Sequence, residues 1–404
     1  MAESYDVGGV IYPRPFKIRR LGHFGFNVAN FQSSLEFYGP LLGMRASDVV
    51  DLANIPAFGE AAKSMGDSRV FFFSHCTDHH AFILAHKSLG KLFGDNAISP
   101  DITLNQITWQ VGTLEEVVNA ADFLRGHKVK MNRTGRDMPG SNWHCYFYDP
   151  DGLIVELFYG MEQIGWDGRS KPAPMHMRRF DDTPSLPQIS EQQEVEDALA
   201  QGVDIFSGNA RRDPGEQIYN VGGVLLPRPF KVTNIGPMAL FVKDVDASEA
   251  FYTETLGFTK TEEVRYRGQR CVFLRNGTEH HSLKLVPKAL REGLGLSAHS
   301  NCMSVGMEVG SYRQLRDAVS YMKKRGVRFI DTLPPELSPG IDYSAHFFDP
   351  EGHAIQLYCY MEQIGWDGKP RPAALRRTVG AEWPEMVEPL SDTYADQTFM
   401  GPLG

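Results

Sequence analysis

Three residues of this chain, His23, Gln106 and Glu156, are of types that can hold a metal, and the chain itself singles them out. The sequence is written twice. Tyr5-Asp6-Val7-Gly8-Gly9-Val10 followed by Pro13-Arg14-Pro15-Phe16-Lys17 returns as Tyr219-Asn220-Val221-Gly222-Gly223-Val224 followed by Pro227-Arg228-Pro229-Phe230-Lys231. Met161-Glu162-Gln163-Ile164-Gly165-Trp166-Asp167-Gly168 returns unchanged from Met361 to Gly368. Between these bookends the second copy has Pro237, Ser304 and Gln356 in place of His23, Gln106 and Glu156. A scaffold duplicated and stripped of ligating groups on one side predicts one active half and one structural half. Glu156 lies among Leu153, Ile154, Val155, Leu157 and Phe158, and a carboxylate buried there needs a metal or a cation.

The elements that must position these residues follow from periodicity. In the first copy Ile18–Val28 reads as a strand, and Asn30 caps a helix running toward Gly43. Arg69–Ser74 and Ala81–Ala85 read as strands. The pattern restarts with strand Leu104–Val111 and amphipathic helix Leu114–Leu124. Strands Trp143–Tyr148 and Leu153–Tyr159 close the unit around the turn Asp149-Pro150-Asp151-Gly152. The second copy repeats the order from strand Asn234–Val242 and helix Asp246–Thr255 to strands Ala345–Phe348 and Ala354–Tyr360. Residues 169–217 form a Pro-containing linker with a helix at Glu191–Ala200, and a Pro-rich tail that wraps or frays occupies 369–404. The catalytic half is expected at 1–168 and the structural half at 218–368.

Composition excludes several classes. With 404 residues, 42% hydrophobic and 23% charged, the chain is that of an ordinary soluble protein of two or three domains. A net charge of −9 argues against nucleic acid as the main partner. No apolar run reaches the roughly 18 residues that span a bilayer, and the N-terminus lacks a signal pattern, so no membrane partner is expected. Five scattered cysteines without a CxxC suit a reducing cytoplasm.

Four strand–helix–strand units in two pairs, with an Asp-Pro-Asp/Glu-Gly turn before the last strand of each pair, resemble the vicinal oxygen chelate superfamily. Glyoxalases, bleomycin-resistance proteins and type I extradiol dioxygenases belong to it, and the likeness covers 18–168 and 232–368. It implies an α+β fold of four βαβββ modules paired into two half-open barrels, each pair built around one divalent metal site. Carried over position by position, His23, Gln106 and Glu156 become the metal ligands, and the fourth position falls near Ile83, which cannot ligate. The dioxygenase pattern has histidine where Gln106 stands. An imidazole and a carboxylate with open positions suit Fe(II), with Mn(II), Ni(II) and Zn(II) as alternatives.

The resemblance assigns His80, in Asp78-His79-His80-Ala81-Phe82, as acid–base, and Tyr146 as hydrogen-bond donor to substrate. His79, alternating with it on a strand, is expected to face solvent or to back the site. His144, on the face of Tyr146, is a further candidate for substrate contact. Trp109 and Trp143, with Phe71–Phe73 and Phe147, either line an aromatic pocket or belong to the core. The expected activity is extradiol-type cleavage of a catechol-like or hydroquinone-like aromatic with O2, in a homo-oligomer. A metal-dependent lyase or isomerase of the glyoxalase kind, and a non-catalytic aromatic- or drug-binding protein, are the rivals. The Pro-Arg-Pro arms and the repeated Met-Glu-Gln-Ile segments read as architectural latches between halves or subunits.

Overall fold

The computed structural model describes residues 4–387 apart from 56–58, 93–103, 141–142, 166–167, 177, 180–183, 212–214, 298–299, 378 and 381. The end of the predicted tail, 388–404, lies outside the described residues, as do Trp166 and Asp167 of the first repeated segment.

Beyond a short hairpin of Tyr5–Val7 and Val10–Tyr12, the first half is one mixed sheet. Its strands are β1 (Arg20–Val28), β2 (Arg45–Asp51), β3 (Arg69–Ser74) and β4 (Phe82–His86), then β5 (Leu104–Gln110), β6 (Met131–Arg136), β7 (Trp143–Tyr148) and β8 (Ile154–Tyr159). They lie in the order β6-β7-β8-β5-β1-β4-β3-β2, with the short strand Arg178–Arg179 added beside β6. Each set of four carries one helix after its first strand, α1 (Phe31–Glu36) or α2 (Leu114–Gly126). The two βαβββ modules meet where β1 pairs antiparallel with β5. Helix α2 starts at Thr113, whose side chain accepts from the Glu116 amide at 3.1 Å, and Glu115 and Glu116 favour its positive end. Helix α1 is shorter than its periodicity predicts, because Pro40 lies in a wider π turn at Phe37–Leu41 that ends it.

The linker carries α3 (Glu191–Ala200), capped by Ser190. The second half repeats the plan with β9 (Val232–Val242), α4 (Val245–Ala250), β10 (Thr259–Tyr266), β11 (Gln269–Arg275) and β12 (Leu283–Pro287). It continues with β13 (Cys302–Val309), α5 (Tyr312–Lys323), β14 (Ser344–Phe348) and β15 (Ala354–Tyr358), ordered β10-β11-β12-β9-β13-β15-β14. The fourth module's second strand is reduced to an isolated bridge between Phe329 and Phe347.

A single apolar core joins the two halves, running from Phe16 and Trp109 in the first to Phe258 and Tyr360 in the second. Across it the aspartates of the two Pro-Asp/Glu-Gly turns are exchanged. Tyr38 donates to Asp349 at 2.9 Å, and Tyr252 donates to Asp149 at 3.1 Å. The Pro-Arg-Pro arms latch the halves rather than ending free: Arg14 donates to the carbonyls of Thr253 and Glu254, and Arg228 to that of Pro40. The repeated Met-Glu-Gln-Ile segments act inside each half. The Glu162 carbonyl accepts from the His79 amide at 2.8 Å, and the Glu362 carbonyl from that of His280 at 2.8 Å. Among the described residues no helix is long and apolar enough to cross a membrane.

Candidate active site

The period of two along a strand decides which side chains enter the first barrel. On β1 and β5, the pairs His23–Thr108 and Gly25–Gln106 lie opposite one another. On β7 and β8, Tyr146 lies opposite Glu156. These inward positions converge. The His23 Nε2 atom lies 3.2 Å from Glu156 Oε2 and 3.1 Å from the side-chain nitrogen of Gln106, and a half-turn of that amide presents its oxygen instead. Thr108 donates to Glu156 Oε2 at 2.9 Å. Glu156 is fully buried, and its Oε1 has no hydrogen-bond partner. Burial pushes this carboxyl up, but the charge and hydrogen bond of His23, with help from His144 and Thr108, outweigh it and hold the group below its ordinary value. An ionised buried carboxylate with a free oxygen, an imidazole and a neutral amide is a donor set that fits a divalent cation. Among the described residues no three His, Cys, Asp or Glu side chains form such a set, and the side chain beside His23 and Glu156 that could add a donor is the Gln106 amide.

His23, Gln106, His80 and Tyr146 all line one cavity of about 70 Å³. The His23 and His80 rings meet edge-on, 4.3 Å between centroids. Burial, with the neighbouring His23 and His79, pushes His80 well below its ordinary value, so it is a neutral imidazole. Burial and the Glu156 carboxylate drive the Tyr146 hydroxyl well above its ordinary value, so it keeps its proton. His144 is buried behind the cavity wall, with Nδ1 3.7 Å from Glu156 Oε1.

His79 does not face solvent. It is fully buried, its Nδ1 lies 2.9 Å from that of His80, and Nε2 lies 3.5 Å from Asp48 on β2. Gly140 makes room for it: at φ +61° a Cβ there would fall 1.9 Å from the imidazole.

The two tryptophans do not reach the cavity. Trp109 sits one position out of phase with Thr108 and is fully buried against Phe258 of the other half, ring centroids 4.8 Å apart. Trp143 is out of phase with His144 and Tyr146, whereas its face-mates Cys145 and Phe147 enter the inter-half core. Phe71 and Phe73 also belong to that core, and only Phe72 of the three lines the cavity. The residue that periodicity missed is Arg133, whose guanidinium stacks over the Tyr146 ring at 3.9 Å and donates to Asp137 at 2.9 Å. It lines the cavity, and so do Asn105, Met138 and Ile154. A strand written Met-Asn-Arg-Thr-Gly-Arg lacks apolar alternation, and only the order of a βαβββ module points to it.

The sequence profile of the Glyoxalase/Bleomycin resistance protein/Dioxygenase superfamily matches residues 20–157 and 234–357, well over half of the chain. The chain belongs to that superfamily. Among curated proteins it is 25% identical over 126 residues to the 2,2',3-trihydroxybiphenyl dioxygenase of Sphingomonas paucimobilis, covering 31% of this chain and 41% of that protein. It is 26% identical over 147 residues to the 3-methylcatechol 2,3-dioxygenase of Pseudomonas putida, covering 36% and 43%. The matched stretches thus span less than half of either relative. Among solved structures, the 2,3-dioxygenase LapB from Pseudomonas sp. KL28 superposes with a TM-score of 0.55 at 14% identity, covering 88% of this chain and 96% of that one. The Mn(II)-bound glyoxalase from Novosphingobium aromaticivorans gives 0.53 at 13%, covering 87% and 85%. At these identities the superpositions establish the superfamily fold alone.

Proposed function

We propose that this chain is a metal-dependent dioxygenase of the extradiol kind, acting in the cytoplasm on a catechol-like or hydroquinone-like aromatic in aromatic-compound catabolism, with its site in the first half. The observation that carries the reading is that His23, Gln106, His80 and Tyr146 line one cavity, with Glu156 Oε2 set 3.2 Å behind His23 Nε2. His23, Glu156 and the Gln106 oxygen would hold Fe(II), with Mn(II), Ni(II) or Zn(II) as alternatives. The metal would supply a Lewis-acidic point where a substrate oxygenate and O2 meet.

The remaining chemistry belongs to the side chains. His80, a buried neutral imidazole, accepts the proton that a phenolic hydroxyl must lose and returns it later in the cycle. Tyr146 stays protonated and donates to the substrate's anionic oxygen. Arg133, stacked on that phenol, adds positive charge on the same side. Phe72, Val70, Ile83 and Met138 offer the ring an apolar wall and exclude water. The names of both curated relatives, and five cysteines with no disulfide, are consistent with this reading and with a reducing compartment.

A glyoxalase-like lyase or isomerase is the second reading, favoured by Gln106, since amide ligands occur in that branch. O2 uptake with a panel of catechols and hydroquinones, on protein loaded anaerobically with Fe(II), separates the two. The dioxygenase reading expects substrate-dependent O2 consumption that falls at least about 100-fold in Tyr146→Phe or His80→Gln. Turnover that proceeds equally without O2 would overturn it.

A further inference from the structure

The second barrel holds a polar cluster that the reaction above does not use. Lys284 on β12 is fully buried, and its ammonium has only neutral partners, Ser338 Oγ at 3.1 Å and Gln356 Oε1 at 3.1 Å. Strand register makes it the counterpart of Ile83: β1 pairs Gly25 with Ile83, and β9 pairs Ala239 with Lys284. The ammonium therefore points into the barrel interior, beside the amide that replaces Glu156. Among the described residues no carboxylate forms an ion pair with it. An ammonium held away from water without a counter-charge is strongly unfavourable unless a ligand supplies one.

Three further buried atoms there lack a hydrogen-bond partner: His281 Nε2, His346 Nε2 and Ser304 Oγ. Both imidazoles feel the charge of Lys284, and Ser304 lies opposite Ala239 on the strand flanking β9 from the other side. Ser338 and His346 also line an adjoining cavity of about 710 Å³, so the ammonium lies one hydrogen bond from its wall. Phe329, Ile330, Leu333 and Trp383 give that cavity an apolar side. Its cations, Arg316, Lys323 and Lys324, outnumber its anions, Asp331 and Asp342.

We propose that the second barrel binds a small organic carboxylate, its anionic end against Lys284 and its apolar body in the adjoining cavity. A carboxylate offers about four acceptor sites, enough for the third ammonium N–H, the Ser304 hydroxyl and both imidazoles in the tautomer that carries a proton on Nε2. The apolar walls distinguish such a ligand from an inorganic anion, which would leave them unfilled.

Calorimetric titration of the full-length protein with sodium benzoate, acetate and chloride at matched ionic strength tests this. Benzoate is expected to bind saturably, about tenfold or more tighter than acetate, with no saturable chloride binding. Lys284→Met, which replaces the buried ammonium with an apolar chain of similar length, should weaken benzoate at least about tenfold. His346→Ala, which keeps the cation, should weaken it by a smaller factor. Metal content should stay unchanged in both variants, so the outcome is independent of the first-half site. Absence of saturable benzoate binding, unchanged binding in Lys284→Met, or chloride binding as tight as benzoate would each overturn the proposal.

Discussion

Lys284 Nζ lies 3.1 Å from Gln356 Oε1 in the second barrel, where Gln356 pairs with Gly306 as Glu156 pairs with Thr108 in the first. One scaffold thus encloses a buried carboxylate on one side and a buried amine on the other. Burial holds the Lys284 amine down at about 7, against an ordinary value near 10.5. Between those values the unfolded chain carries a proton that the folded chain has released, so this group makes stability rise with pH across the window. Below pH 7 both states are protonated and the penalty of the buried charge is fully present. Lys284→Met should remove that rise and be more stable than the parent at pH 7. Urea unfolding of both proteins at pH 7 and 9.5, in carboxylate-free buffer, would show it; parallel pH dependences would contradict it.

The exchange of aspartates between halves predicts a stability effect without a catalytic one. Burial pushes the Asp149 carboxyl up to about 6, and Tyr252 is one of the donors that oppose the shift. Tyr252→Phe removes that donor and should destabilise the protein by about 1–3 kcal/mol. Its counterpart Tyr38→Phe should cost a similar amount through Asp349. Denaturant midpoints should fall with unchanged slope, and neither variant should alter metal content.

The Thr108 hydroxyl reaches the site through Glu156 Oε2. Thr108→Val keeps shape and loses the hydroxyl, leaving the carboxylate less firmly oriented. Metal affinity is expected to fall about 10- to 100-fold, measured by competition with a chelator, with little change in fold stability. An unchanged affinity would show that Glu156 is held by His23 alone.

Arg133→Met should separate binding of metal from turnover. The variant loses the cation stacked on Tyr146 but none of the ligating groups. Full metal content with turnover reduced about tenfold or more is the expected pattern in paired metal and rate measurements. Loss of metal would instead make Arg133 a structural support for the ligand set.

Much of this was legible in the residues. The repeat exposed the two halves, apolar alternation located the central strands, and the contrast of Glu156 with Gln356 marked the half that holds a buried carboxylate. Arg45–Asp51 and Thr259–Tyr266 escaped because they lie at sheet edges and are written in polar residues, and Met131–Arg136, covered on its outer side only by the short strand Arg178–Arg179, shares that polar composition. Arg133 was lost with its strand. Of the two places open to the tryptophans, strict alternation from Gln106 and His144 already selects the face away from the cavity for Trp109 and Trp143. For His79 the structure takes, of its two open places, the one backing His80, and what selects it is the room left by Gly140, which is distant in sequence. Lys284, between Leu283 and Leu285 at the position of Ile83, carried a signal in its apolar surroundings that only its partners in space explain.

Metal stoichiometry tests the central claim most directly. Protein reconstituted anaerobically with Fe(II), then freed of excess metal, should retain about one ion per chain. Glu156→Ala should reduce this to about zero, whereas Gln356→Ala should leave it at one. Two ions per chain, or one that survives Glu156→Ala, would contradict a single site built on His23 and Glu156 in the first half.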